Sequence, residues 1–247
     1  MEHQAYLERI GHEAARLAAI ARAAGPEGAT PSTPDWNMAK LVKHTGTTHR
    51  WVIGIADTRE FVNPGDLDLG LPTEVADYPD WFEQGAVDLV KVLGDLDPTT
   101  EMWSWAGDDR AGFWSRRMAH ETTIHRWDAQ SAIGDDDDID ADFAVDGIDE
   151  RIEYLTPSMK FNPAGIAALS GTGESVHLHT TDTAGEWLLR FTPDGLVWAR
   201  EHAKGDVALR GSGHDLLLYL VGRRDLEGLE VFGDASVLAA HDAVRHF

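Results

Sequence analysis

The sequence predicts a mainly α N-terminal domain, built as a four-helix bundle, followed by a small α+β C-terminal domain. Four long stretches in the first 133 residues repeat apolar side chains at helical spacing. Beyond about residue 172 that period gives way to short strand-like runs divided by turn residues. The chain has 247 residues, 43% of them hydrophobic, with nine Trp, which suits a folded protein with a proper core.

The first helix is expected from about Glu2 to Ala24, with Tyr6, Leu7, Ile10, Ala14, Leu17, Ile20 and Ala21 at helical spacing and a stop at Gly25-Pro26. A loop rich in Pro, Thr and Gly then leads through Pro34-Asp35-Trp36 to a second helix, about Asn37–Ala56. A third, about Asp80–Leu96, carries Trp81, Phe82, Ala86, Leu89, Val90 and Leu93 and ends at Asp97-Pro98. The fourth, about Gly112–Ile133, closes at Gly134 and an acidic run, Asp135–Asp138, which reads as a solvated loop. That run lacks the alternation and terminal Glu of an EF-hand loop. A shorter helix, about Ala141–Leu155, completes a first domain of residues 1–160, with a boundary at 160–172 and a second domain at 172–247. In the second domain, strands are expected at Ser175–Thr180, Trp187–Phe191, Val197–Arg200 and Asp206–Leu209. A helix at Gly213–Val221, a strand at Leu229–Phe232 and a closing helix from Asp234 follow.

Charge and composition exclude several functions. Asp and Glu outnumber Lys and Arg by 43 to 21, a formal charge of −22 that repels phosphate backbones and anionic lipid heads. Nucleic acid and membrane surfaces are therefore not expected partners. The polar start, Met1-Glu2-His3-Gln4, is no signal peptide and no apolar run reaches spanning length, so a cytoplasmic location is expected. Cysteine is absent, which removes disulfides, Cys-zinc sites and a protein thiol nucleophile. Any metal must be held by His, Asp or Glu, and any sulfur chemistry must use a thiol brought by a small molecule.

The segment His120-Glu121-Thr122-Thr123-Ile124-His125-Arg126-Trp127-Asp128 lies in the fourth helix. Four residues of helix leave Glu121 and His125 about 40° apart on one face, where one divalent cation can join them. His120, five residues before His125, is turned about 140° away. A third ligand is found in the second helix: His44 lies at helical spacing from Leu41, Thr48 and Trp51, on the face expected to meet the core, with His49 rotated away from it. His₂Glu is the ligand set of an open catalytic zinc site. The bland readings are a surface Glu/His pair, hydrogen-bonded core histidines at His49 and His120, and arginines that balance the acidic excess. Asp128, one turn past His125, could orient the ligand ring, or pair with Arg50.

The motifs Pro34-Asp35-Trp36…Leu41-Val42-x-His44-x-Gly46-x-x-His49-Arg50-Trp51 and His120-Glu121-x-x-x-His125-Arg126-Trp127-Asp128 resemble those of the mycothiol-dependent maleylpyruvate isomerase family, within the DinB-like metal-binding bundles. The stretches Gly211-Ser212-x-x-Asp215-Leu216-Leu217-Leu218-x-Leu220-x-Gly222-Arg223 and Val231-Phe232-Gly233-Asp234 resemble that family's C-terminal domain, similar to sterol-carrier folds. The resemblance implies a metal on His44, Glu121 and His125 and an arginine role near the active site for Arg223, with Arg224 as a register-shifted alternative. His49 and Asp128 remain candidates for the surroundings of the pocket. Zinc is the default metal by ligand type; nickel, cobalt and manganese also suit imidazole and carboxylate.

The chemistry so implied is thiol-dependent: isomerisation of, or S-transfer to, a small electrophilic or acidic substrate such as maleylpyruvate, with mycothiol as co-substrate. Two other classes stand beside it. One is a hydrolase activating water, with His49 or Asp128 as proton carrier. The other is a non-enzymatic small-ligand-binding protein. A monomer or homodimer fits either.

Overall fold

The computed structural model describes residues 1–135, 137–159, 163–242 and 245. Asp136, within the predicted acidic loop, and residues 160–162, within the predicted domain boundary, lie outside that set. The chain divides into two compact units, Met1–Asp137 and Asp138–Phe247.

The first unit contains α1 (His3–Ala24), α2 (Met38–Thr58), α3 (Tyr78–Gly94) and α4 (Ala111–Ser131). Each pair among these four is in contact, most extensively α1 with α4 and α2 with α3, so the predicted bundle is formed. Local chemistry sets the helix ends. Asn37 caps α2 by accepting the Lys40 N–H at 3.0 Å, and Pro79 occupies the first turn of α3, where its missing N–H costs nothing. α1 stops at Gly25, whose φ of +73° an L side chain rarely adopts. Leu17 and Ala18 of α1, Leu41 of α2, Phe82 of α3 and Ala129 of α4 meet in one fully enclosed cluster.

This core is not wholly apolar. Glu13 on α1 is fully buried and accepts from Arg126 Nε on α4 at 2.6 Å and from Arg9 Nη1 at 3.1 Å. Arg126 Nη1 also donates to Gln130 Oε1 at 2.6 Å. The acidic segment after α4 is not simply solvated, because Asp137 pairs with Arg16 and Asp135 accepts from Gln130 Nε2 at 2.7 Å.

The second unit begins with α5 (Ala141–Ser158) and α6 (Pro163–Ala168). A five-stranded sheet follows, from β1 (Ser175–Thr180), β2 (Glu186–Thr192), β3 (Gly195–Ala199), β4 (Val207–Gly211) and β5 (Glu230–Gly233), in the order β3-β2-β1-β4-β5. Only β1 and β4 run parallel; the other neighbours are antiparallel. The β4–β5 connection carries α7 (Gly213–Leu220), capped by Ser212 accepting the Asp215 N–H at 3.1 Å, and α8 (Leu238–Asp242) closes the chain.

The compact units divide at Asp137/Asp138, N-terminal to the boundary expected at 160–172. The helix expected to extend the bundle is α5, and its apolar stripe packs on α7 instead. Asp149 of α5 accepts Trp187 Nε1 of β2 at 2.7 Å, and His214 Nδ1 accepts the Ile139 N–H at 3.0 Å. The change from helical to strand period marks a change of secondary structure, not the place where the core divides.

Candidate metal centre

α4 is a helix buried on almost every side. From Met118 to Gln130, Glu121 alone is not buried, and its side chain is 19% exposed. Such a helix is tolerable because its polar groups are satisfied internally: Thr122 and Thr123 donate to the carbonyls of Met118 and Ala119 at 2.6 and 2.8 Å. Glu121 is thus the opening of α4 toward solvent.

Three side chains converge there. His125 Nε2 lies 3.1 Å from Glu121 Oε1, and His44 Nε2 on α2 lies 3.4 Å from the same oxygen. One donor atom from each of the three residues falls within 4.8 Å of the others. On its other ring nitrogen, Nδ1, His125 donates to Asp128 Oδ2 at 2.8 Å. Asp128 is fully buried and accepts in turn from Ser32 Oγ at 2.6 Å. This carboxylate–imidazole arrangement fixes the ring and leaves Nε2 as the atom for an ion.

The electrostatics are strongly coupled. Burial acts against a charge on His125, but the fields of Glu121 and Asp128 and their hydrogen bonds overcome it and push the imidazole up to about 9. Burial likewise acts against the Glu121 carboxylate, yet the charge of His125, hydrogen bonds from His125 and His44, and Arg117 hold it well below the usual range. The donor set, two imidazoles and a carboxylate with one ring anchored from behind, fits a divalent ion of the zinc class.

Helical spacing predicts His44 on the inward face of α2, with His49 turned away. The structure reverses this. The buried stripe of α2 runs through Leu41, Thr45, Gly46, His49 and Val52, and His44 sits at its rim with a side chain 42% exposed. A rim position is what allows His44 to meet Glu121 where solvent can enter. His49 Nε2 instead donates to Thr122 Oγ1 at 2.9 Å, with its ring 5.4 Å from Phe82. Burial pushes it down to about 3. Arg50 lies over the Trp81 ring at 3.9 Å and donates to Trp81 O at 2.7 Å.

Three neighbours of the site carry no role there in the sequence reading. Trp36 packs beside His44 and His125, with ring centroids 4.8 and 6.0 Å away. Arg117 Nη2 donates to Glu121 Oε2 at 2.6 Å, a contact that its four-residue spacing could have signalled. Ser32 was hidden in a loop without period. Arg223 and Arg224 follow α7 in the second unit. Arg223 Nη1 donates to Val221 O at 3.1 Å, and Arg224 pairs with Asp215.

The chain is thus a helical bundle with a His₂Glu cluster at its rim, followed by a unit built on a small mixed sheet. Residues 7–130 match the mycothiol maleylpyruvate isomerase N-terminal domain, and residues 142–240 match the corresponding C-terminal domain. The chain belongs to the mycothiol maleylpyruvate isomerase family. A crystal structure of the mycothiol-dependent maleylpyruvate isomerase shares the fold over 94% of this chain and 93% of its own, with a TM-score of 0.56 and 12% identity. A UbiJ-SCP2 ubiquinone synthesis protein covers 43% of this chain and 94% of its own, at a TM-score of 0.30 and 18% identity. No curated protein matches the sequence. No helix among the described residues is long and apolar enough to cross a membrane.

Proposed function

We propose that the protein is a metal-dependent enzyme that uses a low-molecular-weight thiol, mycothiol, in isomerisation of, or S-transfer to, a small electrophilic substrate. Its family is that of an enzyme, the maleylpyruvate isomerase. The observation that carries the metal reading is the convergence of His44, Glu121 and His125 donor atoms within 4.8 Å, with His125 anchored by Asp128. Those three residues are the proposed ligands. A divalent ion held by these residues would supply Lewis acidity that lowers the pKa of a small-molecule thiol.

The chain's own groups do the rest. Arg117 keeps Glu121 aimed and ionised, and Asp128 sets the ring of His125. The cluster is open to solvent at His44 and Glu121, and the indole of Trp36 offers an apolar wall beside it. With no cysteine in the chain, no protein thiolate competes for that place. Arg223 is proposed, through the family resemblance, to hold a substrate carboxylate by a bidentate contact.

A hydrolase has less support. His49 is sealed from solvent and bonded to Thr122, and Asp128 is engaged by His125 and Ser32, so neither is poised to carry a proton for an attacking water.

Metal content by mass spectrometry, measured with mycothiol binding by calorimetry on wild type and Glu121→Ala, tests the proposal. Metal in the bundle site lost in the variant, together with thiol binding that requires it, is the expected result. Metal without thiol binding would redirect the assignment to hydrolysis. Equal metal content in wild type and variant would remove Glu121 from the ligand set.

A further inference from the structure

A second cluster of ligand-type side chains lies wholly in the C-terminal unit, outside the family motifs. His177 and His179 are two apart on β1, so strand geometry puts both on one face. Glu186 opens β2 directly opposite His179 in the antiparallel register. His202 comes from the irregular segment between β3 and β4. One oxygen, Glu186 Oε2, is the point on which all three rings converge. His177 Nε2 donates to it at 3.0 Å, His202 Nδ1 donates to it as well, and His179 Nδ1 stands 3.7 Å away.

Three imidazoles around one carboxylate oxygen is an unusual way to satisfy a glutamate. A carboxylate offers its lone pairs over two oxygens, and a single donor to each would suffice. Here the ring centroids stand 5.7, 6.0 and 6.4 Å apart and the rings are nearly perpendicular, so they surround a point instead of stacking. One donor atom from each of the four residues lies within 4.8 Å of the others. Tetrahedral bonds of about 2.0–2.1 Å set neighbouring ligand atoms roughly 3.3 Å apart, which the cluster reaches by small side-chain movements. The His177 side chain is 8% exposed, so its position is set by the sheet, whereas that of His202 is 80% exposed.

We propose that His177, His179, Glu186 and His202 form a second divalent-metal site, of the zinc class, that ties the segment between β3 and β4 to the sheet. It differs in kind from the bundle site. Four protein ligands complete a tetrahedron and leave no position for substrate, which is the character of a structural site. Nitrogen-rich ligation also selects zinc, nickel, cobalt or copper over magnesium and calcium.

The test uses the full chain without an affinity tag, stripped with chelator, reloaded with zinc alone and passed through gel filtration in metal-free buffer. Glu121→Ala removes the bundle ligand and is expected to retain one equivalent of zinc. Glu121→Ala/His202→Ala is expected to retain none; the exposed His202 can be replaced without disturbing the core, and far-ultraviolet circular dichroism checks the fold. Cobalt in the Glu121→Ala background should give the intense visible bands of a tetrahedral site, lost on adding His179→Ala. Zinc should also slow proteolytic cleavage within residues 200–206 in Glu121→Ala. Retention of the same zinc by the double variant, or none by Glu121→Ala alone, overturns the proposal.

Discussion

Arg126 Nε on α4 donates to Glu13 Oε2 on α1 at 2.6 Å, and the two side chains are 1% and 0% exposed. The helices that make the most extensive contact in the bundle are therefore joined at their centre by an ion pair with no access to water. Removing one partner leaves the other charge desolvated, which costs about 3–5 kcal/mol. Arg126→Met should lower stability by less than that in urea unfolding, because Arg9 and Arg16 still pair with Glu13 at 3.1 and 3.6 Å. Glu13→Leu/Arg126→Met should cost much less than the two single changes together, and strict additivity would show that the pair is not coupled.

Asp128 would act on an ion at the proposed site only through His125, whose Nδ1 lies 2.8 Å away. Asp128→Asn keeps the size of the side chain but weakens its hold on Nδ1–H, so metal affinity at the bundle site should fall roughly 10–100-fold in a chelator competition. Ser32→Ala, one hydrogen bond further out, should have a smaller effect. An unchanged affinity in Asp128→Asn would mean that His125 is oriented by packing alone.

His49 is a neutral imidazole by construction of its surroundings. Thr122 Oγ1 donates to Met118 O and accepts from His49 Nε2, leaving Nδ1 without a partner among the described residues. A proton on Nδ1 would have no acceptor. The folded-state value of about 3 lies below the ordinary 6.5, so the unfolded chain binds the extra proton first. This contribution to stability is complete above pH 6.5 and is lost as pH falls toward 3. Thermal melts should show a shallower acid-side loss for His49→Leu than for wild type. Parallel curves would assign the acid limb to other groups.

Arg223→Lys retains charge but not a planar fork. If the arginine holds a substrate carboxylate, KM for an acidic substrate should rise about tenfold or more while the metal content stays unchanged. An unaltered KM would take Arg223 out of the site. In that event Arg224, whose charge is already matched by Asp215, is the next position to replace.

The architecture was legible where side-chain period and packing agree. Helices α1, α2 and α3 carry an apolar side, and the turn residues of the sheet mark the strand ends. α5 shows the limit: its stripe has the same period whichever partner covers it, so the sequence could reveal a helix but not that α7 would be the neighbour. At the site, the four-residue offset of Glu121 and His125 is a direct consequence of helix geometry and was readable. The orientation of α2 was not, because His44 and His49 both lie near apolar residues and the choice of inward face is made by neighbours such as Phe82. Ser32 and Trp36 act from a loop, where nothing in the local pattern announces a tertiary contact.

His44 and Glu121, proposed to share an ion, are 77 positions apart in the chain. A bond through that ion would close a loop spanning most of α2, all of α3 and about half of α4. In a polymer without cysteine it would take the place of a covalent cross-link, restricting the unfolded ensemble by an amount that chain statistics put at about 4–5 kcal/mol for a permanent link of that size. The ion would then act as a knot in the topology as well as a reagent. A cell short of the metal would face slow loss of folded protein, and not only idle copies of it.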